Sequence, residues 1–336
     1  MEWVDQFLHH LWFAVTWPAV SLIVPSSQVN VFFLPSSLVA AAAFYLWRHR
    51  RAGKIRVRRM VRYLFPRKIF LHPSAILDYK YFVTNRMLRA LLYAPLLLSS
   101  ALYDRWVLKI LTVLFGPGHA PGAPSWPVTA LATLVFIVAF DFAYWLAHWC
   151  LHRFSLLWEF HKVHHAAEVL TPITALRAHP VEELININMI ALMTGATHGL
   201  IVYCFGDGAQ QLSLLQLNLV LLLYFMTLYH LRHTHVWLQI NGPLRYIFLS
   251  PAQHQIHHST AKRHLDKNLG YLFSFWDYMF DTIYVPKRRE HLKLGIGVQG
   301  REFNTLWRLY AVPFAKVTRR LKAKHREREK PVLTAE

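Results

Sequence analysis

Cysteine is nearly missing from this 336-residue chain: only Cys150 and Cys204 occur. Neither a disulfide-stapled secreted module nor a thiolate zinc finger can be built from so few. Charge is scarce as well. Asp, Glu, Lys and Arg make up 16% of the residues, where a soluble domain carries about a quarter. Acid is the scarcer sign, with 18 Asp and Glu against 37 Lys and Arg, a formal net charge of +19. Together with 54% hydrophobic residues, these shortages exclude a disordered chain and an ordinary cytosolic enzyme. Two metal-site signatures are absent too. Without HExxH there is no zinc-protease helix, and without ExxH there is no carboxylate di-iron bundle.

What is present is apolar length. Residues 31–47, 86–103, 128–147, 184–205 and 212–231 each read as a membrane span, since about 20 helical residues cover about 30 Å of hydrocarbon. Residues 7–24, with His9, His10 and Pro18, read as a sixth span or an interfacial helix, the span being preferred. No cationic run precedes them, so a cleaved leader is not expected. Of the 37 basic residues, 13 lie in 48–89 and 14 in 286–336, whereas connections 116–126 and 206–211 hold none. The positive-inside asymmetry puts the basic segments in the cytoplasm and those two connections outside. Asp104, Arg105 and Lys109 then fall near the outer face and imply a bent third span. The basic excess suits an anionic lipid surface rather than nucleic acid, because it flanks spans and forms no known reader fold. Phe303, Leu306, Trp307, Tyr310, Phe314, Val317 and Leu321 have helical spacing among Arg and Lys, which predicts a surface helix interrupted near Pro313. Gly295, Gly297 and Gly300 spell GxGxxG without the acidic residue a dinucleotide site needs, and read as a loop.

Histidine is the other excess. Fourteen of 21 lie between His148 and His264, and their spacing carries the chemistry. His148 and His152 (HWCLH) are four apart. His161, His164 and His165 (HKVHH) stand at i, i+3 and i+4, and His254, His257 and His258 (HQIHH) repeat that pattern. On helices these offsets bring Cβ atoms to about 5–6 Å on one face. Eight imidazoles gathered without a ligand would leave many buried donors and acceptors unsatisfied. Eight ligands also exceed the six of one octahedral ion, so two metals are expected, and neutral imidazole suits iron, copper, nickel or zinc. Asp141, seven residues before His148, reads either as a support for a ligating imidazole or as a polar anchor between helices. His198 reads as a helix–helix hydrogen bond.

The order HxxxH, HxxHH, HxxHH over roughly 140–284 resembles the membrane fatty acid hydroxylase/sterol desaturase superfamily. So do Asp141, Tyr144 and Trp145 before the first box, and Trp158 and Phe160 before the second. ALRAHPVEE (175–183), His233-Thr234, GPL (242–244), Asp266-Lys267-Asn268 and Phe275-Trp276-Asp277 agree as well. Where the family often reads FGT, this chain has Phe280-Asp281-Thr282.

The resemblance implies an all-α integral membrane protein of about five to six transmembrane helices, with a cytoplasmic helical cap carrying a histidine-rich di-metal site. The regions would be 1–139, membrane-embedded with the basic segment 48–89; 140–285, catalytic with two further spans; and 286–336, a basic amphipathic tail. It assigns the metal to His148, His152, His161, His164, His165, His254, His257 and His258, and adds His179 and His233. His230, His235 and His264 are left as supporting or structural. Arg177, Asn218 and Asn268, with Glu182, Glu183 and Asp266, are candidate supports beside Asp141. The implied chemistry is hydroxylation or desaturation of a lipid C–H bond by two iron ions (zinc a possible substitute) with dioxygen as co-substrate. Two electrons would come from a separate ferredoxin- or cytochrome b5-like donor, at the cytoplasmic face of a bacterial inner membrane. A zinc hydrolase and a metal transporter are rival readings, though transport sites belong near the bilayer midplane on broken helices.

Overall fold

The computed structural model describes residues 2–328 except 25, 26, 29, 51–55, 119–124, 207, 209, 215 and 216. Connections 116–126 and 206–211, and the last residues of the tail, therefore lie partly outside the described residues. The chain enters through helices α1 (Glu2–Val20), α2 (Phe33–His49), α3 (Val57–Leu64), α4 (Arg67–Phe70) and α5 (Pro73–Leu88). A turn then leads into α6 (Ser100–Phe115), followed by the long helix α7 (Trp126–Arg153). At about 1.5 Å per residue α7 is about 42 Å long, and Pro127 in its first turn gives up only an N–H that has no partner there. The extended residue Phe154 turns the chain sharply into α8 (Ser155–His165).

Helix α9 (Pro180–Phe205) starts with three devices that favour a helix start. The His179 side chain caps Val181 N–H at 3.1 Å, Pro180 is the first residue, and Glu182 and Glu183 meet the positive end of the dipole. A two-stranded hairpin follows (β1 Ser213–Leu214, β2 Leu217–Asn218, antiparallel), then α10 (Leu219–Thr227) and a 3-10 turn, His230–His233. Helix α11 (Pro251–His257) opens with a capping box, in which Ser250 and Gln253 satisfy each other's backbone N–H. The short α12 (Phe275–Met279) and the tail helix α13 (Leu306–Arg328) complete the chain.

Among the described residues, two helices are long and apolar enough to cross a membrane, α7 and α9, with mean hydropathies of 2.0 and 1.4. The expected span 86–103 is not one helix. Helix α5 ends at Leu88, a π-helical turn (Arg89–Tyr93) and a 3-10 turn (Ala94–Leu96) follow, and α6 restarts at Ser100. Pro95 is the cause: it has no N–H and disfavours helix for the residue before it. Asn188 of α9 repairs the break, accepting from Leu98 N–H at 2.7 Å and donating to the Leu96 carbonyl at 3.2 Å. Nor is 212–231 a span, because its first residues form the hairpin and Asn218 starts a helix of only nine residues. The tail departs from expectation as well. Helix α13 runs through Pro313 without interruption and packs on α8, with Phe314 against Phe160 and Arg320 2.7 Å from Glu159.

Two close approaches organise the apolar part. Gly195 and Gly199, one turn apart on α9, lie against the backbone of α6 at Ser100 and Asp104. Across the same contact His198 Nδ1 sits 3.3 Å from Asp104 Oδ2, the helix–helix pairing expected of His198. Beneath the histidine-bearing ends, Phe33, Ile137, Leu221, Tyr224, Phe225 and Tyr271 form the main hydrophobic cluster.

Candidate metal centre

Nine histidines converge in two groups. One holds His148, His152, His161, His165 and His257; the other holds His164, His233, His254 and His258. Within each group one ring nitrogen from every residue lies within 4.8 Å of all the others. The helical period explains the division. Pairs at i, i+4 stay together (148/152, 161/165, 254/258), while His164 and His257, offset within their boxes, turn to the opposite group.

In the first group the tautomers follow from the partners. His148 Nδ1 donates to the Leu269 carbonyl at 2.7 Å, and His257 Nδ1 to the Lys267 carbonyl at 2.9 Å. His152 Nδ1 donates to Asp266 Oδ1 at 3.0 Å, and His161 Nδ1 lies 2.9 Å from Glu182 Oε1. Carbonyl and carboxylate oxygens only accept, so in His148, His152 and His257 the proton is on Nδ1 and Nε2 presents a bare lone pair, whereas His161 Nδ1 stands beside Glu182 outside hydrogen-bond geometry. Those lone pairs face one another: His148 Nε2 and His161 Nε2 are 3.1 Å apart, and Nε2 of His152, His165 and His257 is buried without a partner. Converging lone pairs repel unless a cation stands between them. Nitrogens about 2.1 Å from one ion sit about 3.0 Å apart at right angles, which matches this spacing.

The second group is equally tight but less anchored. His233 Nε2 lies 3.3 Å from His164 Nε2, 3.0 Å from His254 Nε2 and 3.2 Å from His258 Nε2. Here Nδ1 of His233, His254 and His258 has no partner, and His164 Nδ1 faces the Arg177 carbonyl outside hydrogen-bond geometry. A buried cation adjoins this group instead. Arg232, 1% exposed, has one guanidinium nitrogen 3.4 Å from His254 Nε2 and another bonded to Tyr224 Oη and the Tyr271 carbonyl. Both groups have the donor chemistry to hold a transition-metal ion.

His179 joins neither group. Its Nδ1 accepts from Val181 N–H and its Nε2 donates to the Tyr310 carbonyl at 3.2 Å, so both nitrogens are spent on capping α9 and tying down α13. His264 pairs with Glu290 and His235 with the Tyr63 carbonyl, whereas buried His230 has neither nitrogen bonded. The expected supports act at different removes. Asp141 does not bond an imidazole. Its Oδ1 accepts from Leu272 N–H at 2.6 Å and fixes the loop whose Leu269 carbonyl holds His148. Arg177 bonds the Val163 carbonyl and Asp78, both at 2.8 Å, and so pins α8. Asn268 bridges the carbonyls of Gln253 and Tyr284, steadying α11. Asn218 is the exception. It caps α10 and bonds the Thr133 carbonyl, 15 residues before His148 on α7 and so about 22 Å along the helix. Glu182 and Asp266 approach clustered imidazoles directly, His161 at 2.9 Å and His152 at 3.0 Å. Asp277, part of the Phe275-Trp276-Asp277 match but not among the expected supports, accepts from Leu269 N–H, Gly270 N–H and Trp145 Nε1. The Leu269 and Lys267 carbonyls have no sequence signal, being backbone. At Asp281, where the resemblance expects glycine, φ is +55, a left-handed turn that Asp tolerates.

Burial holds these imidazoles neutral. It pushes His164 down to about 3, with Arg232 and Arg177 adding to the shift. Burial likewise holds His161, His165, His233, His254, His257 and His258 well below the usual range. An unfolded histidine titrates near about 6.5, so below that pH the unfolded chain binds protons that the folded chain refuses. Stability is complete above about 6.5 and is lost as pH falls toward about 3. The metal-free protein is therefore expected to melt at a lower temperature at pH 5 than at pH 7.5, measured by thermal scanning; equal melting temperatures would contradict buried neutral imidazoles.

A cavity of about 370 Å³ opens onto the second group, lined by His164 and His233 at one end. Its other walls come from α1, the end of α5, α7 and α9, including Phe140, Tyr144, Glu182 and Ile190.

Comparison with known proteins agrees with this geometry. Residues 133–282 match the fatty acid hydroxylase family model. An alkylglycerol monooxygenase of Caenorhabditis elegans is 27% identical over 177 residues, 52% of this chain and 32% of its own. An ornithine lipid hydroxylase of Rhizobium tropici is 27% identical over 202 residues, 58% of this chain and 54% of its own. A very-long-chain aldehyde decarbonylase of Oryza sativa is 26% identical over 169 residues, 48% of this chain and 25% of its own. The chain thus spans about half or less of the length of these relatives. No solved structure matches it. The matched region contains all nine clustered histidines, and in it the chain is similar to the membrane fatty acid hydroxylase superfamily.

Proposed function

We propose that this chain is a membrane-bound lipid hydroxylase that binds two iron ions, one in each histidine group, and uses dioxygen and two electrons from a separate donor protein. The observation that carries the proposal is the pair of buried imidazole groups, with inward-facing Nε2 atoms, beside a cavity next to two apolar helices long enough to cross a bilayer. When bound, the ions would supply the oxygen-activating redox chemistry that an unactivated C–H bond requires, which acid–base groups cannot provide.

The rest of the work belongs to the chain. His148, His152, His161, His165 and His257 would hold one ion, and His164, His233, His254 and His258 the other. Asp266 and the carbonyls of Leu269 and Lys267 fix the ring orientation of His152, His148 and His257, and the Glu182 carboxylate lies 2.9 Å from His161 Nδ1. Phe140 and Tyr144 of α7, with Tyr271, line the cavity and would keep water from it. The site would lie at the cytoplasmic ends of α7 and α9, so that a lipid enters from the bilayer while electrons arrive from the aqueous side, at an inner membrane whose anionic surface attracts the basic segments. Relatives whose names describe monooxygenation and hydroxylation of lipids favour hydroxylation over desaturation.

The test is oxygen uptake. Iron-replete protein in lipid, given reductant and then oxygen, is expected to consume oxygen only with an amphiphile present and to yield a product about 16 mass units heavier. Equal activity without oxygen, or with zinc in place of iron, would replace this reading with hydrolysis.

A further inference from the structure

Two short segments, outside every apolar stretch long enough to span, carry a concentrated apolar surface. They are the 3-10 turn Pro243–Tyr246 with Ile247 after it, and α12 with Phe280 after it. Leu244, Tyr246, Ile247, Tyr278, Met279 and Phe280 are each between 37% and 65% exposed. The segments are joined: the Tyr246 and Tyr278 rings lie 5.7 Å apart, and Ser274 N–H donates to the Ile247 carbonyl at 2.9 Å. Single exposed apolar residues are ordinary, whereas a contiguous group marks a contact surface. None of the six lines the cavity beside the histidines.

The surface is continuous with α7. The Phe280 ring stacks on Trp145 at 4.5 Å, and the Trp276 ring lies 4.7 Å from Phe142. Trp145 and Phe142 stand three and six residues before His148, so about 4.5 and 9 Å back along the helix. The patch therefore lies beside the apolar length of α7, just inside its histidine-bearing end, the level of a bilayer at which Tyr and Trp concentrate. One cation belongs to it. Arg245 is half-buried, its Nε is enclosed without a partner, and its guanidinium lies 5.1 Å from the Tyr246 ring centroid. Its backbone is held, the carbonyl accepting from Ser274 Oγ at 3.0 Å and from Gln253 Nε2 at 3.3 Å. A guanidinium without an acceptor, set against an apolar face, suits a phosphate. Asp281, the exposed acid that follows Phe280, has Lys267 Nζ 2.7 Å from its carbonyl, so a cation stands beside it.

We propose that the 243–247 turn and α12 form a foot that dips into the membrane leaflet on the histidine side, with the six apolar side chains among acyl chains and Arg245 holding the phosphate of a phospholipid. The phosphate brings the acceptor that Arg245 lacks, which an apolar protein face would not. Through Ser274 and Gln253 the foot is tied to the start of α11, so contact with lipid sets the depth of the third histidine box. The foot needs no metal, and its contact with lipid is independent of the reaction at the histidines.

The test uses the full-length protein in lipid nanodiscs, with Met279→Cys carrying a bimane fluorophore. Wild type labelled in parallel gives the background from Cys150 and Cys204, and Tyr278→Cys supplies a second site should the first variant not fold. Phosphatidylcholine brominated along its chains is expected to remove about half of the label's emission or more, as burial at the acyl boundary requires, while iodide in the water leaves it nearly unchanged. Quenching by iodide alone would place the foot in water. Protection from both quenchers would place it against a second copy or another protein, and either result overturns the inference. In detergent the same label follows titration with dioctanoyl phosphatidylglycerol and with dioctanoylglycerol, equal in chains and different in the phosphate. A hydrogen bond to a charged group corresponds to about tenfold or more in affinity, so the phosphatidylglycerol is expected to bind more tightly by that factor. Arg245→Gln should bring the two lipids together, and Arg245→Lys should restore part of the preference. Equal binding by the wild type, or a preference that survives Arg245→Gln, overturns the phosphate site.

Discussion

Titrated with ferrous iron or zinc, the metal-free protein will take up two ions in two separated steps, and the group containing His148 will fill first. The reason lies in what stands behind each ring. Three of its five imidazoles are oriented through Nδ1 by Asp266 and two carbonyls, and a fourth, His161, has the Glu182 carboxylate 2.9 Å from its Nδ1. In the other group three Nδ1 atoms have no partner, and the guanidinium of Arg232 stands 3.4 Å from His254 Nε2. Outer hydrogen-bond partners are worth about 10- to 100-fold each in metal affinity, and a buried cation opposes a second one. A separation of at least about a hundredfold follows. His258→Ala should remove the weak step, leave the tight one and abolish turnover. Glu182→Gln should keep both steps while weakening the tight one about tenfold or more. Metal content after graded chelation reads both effects without assaying turnover. A single step of two ions in the wild type would show that the anchoring has no energetic consequence.

Gly195→Leu will prevent the folded protein from accumulating. A Cβ at 195 would lie 2.2 Å from the Ser100 carbonyl oxygen, and one at 199 would lie 2.8 Å from that of Asp104. Both obstacles are backbone atoms, so relief requires α6 and α9 to separate along their whole contact. Close backbone approach over small residues four apart is how helices pack without a hydrophobic gradient between them. The expected loss exceeds about 4 kcal/mol, beyond the usual range for one substitution, and even Gly195→Ala should lower the melting temperature by several degrees. Gly300→Ala is the control, since its Cβ would meet only Ile296 Cγ1 at 3.8 Å, an ordinary contact. Wild-type thermal stability in Gly195→Leu would mean that the two helices do not touch there.

How much of this was readable in advance differs by residue. The three histidine boxes were legible because i, i+3 and i+4 spacing converts directly into one helix face. His179 misled because a histidine before proline at a helix start satisfies itself locally, one nitrogen capping α9 and the other meeting α13. Among His230, His233 and His235 spacing alone offers no discrimination, and only the family resemblance singled out His233. The 3-10 turn sends His233 into the second group, His235 to the Tyr63 carbonyl, and His230 to neither. The two apolar stretches at 86–103 and 212–231 show the limit of hydropathy. It records that residues avoid water, not the path they take, and Pro95 and Asn218 were the local signals that the path breaks.

By itself, then, the sequence determined the class of molecule, the helices that carry the histidines and the kind of ion they suit, because all three depend on composition and on contacts within a few residues. The tertiary structure alone decided that nine rings divide five and four, that one set is anchored by oxygens while the other meets a buried cation, and that a cavity opens beside the second set. Those features join residues far apart in the chain, 121 positions at His148 and Leu269. No local spacing encodes such a meeting; the packing of α7, α8, α9 and α11 creates it.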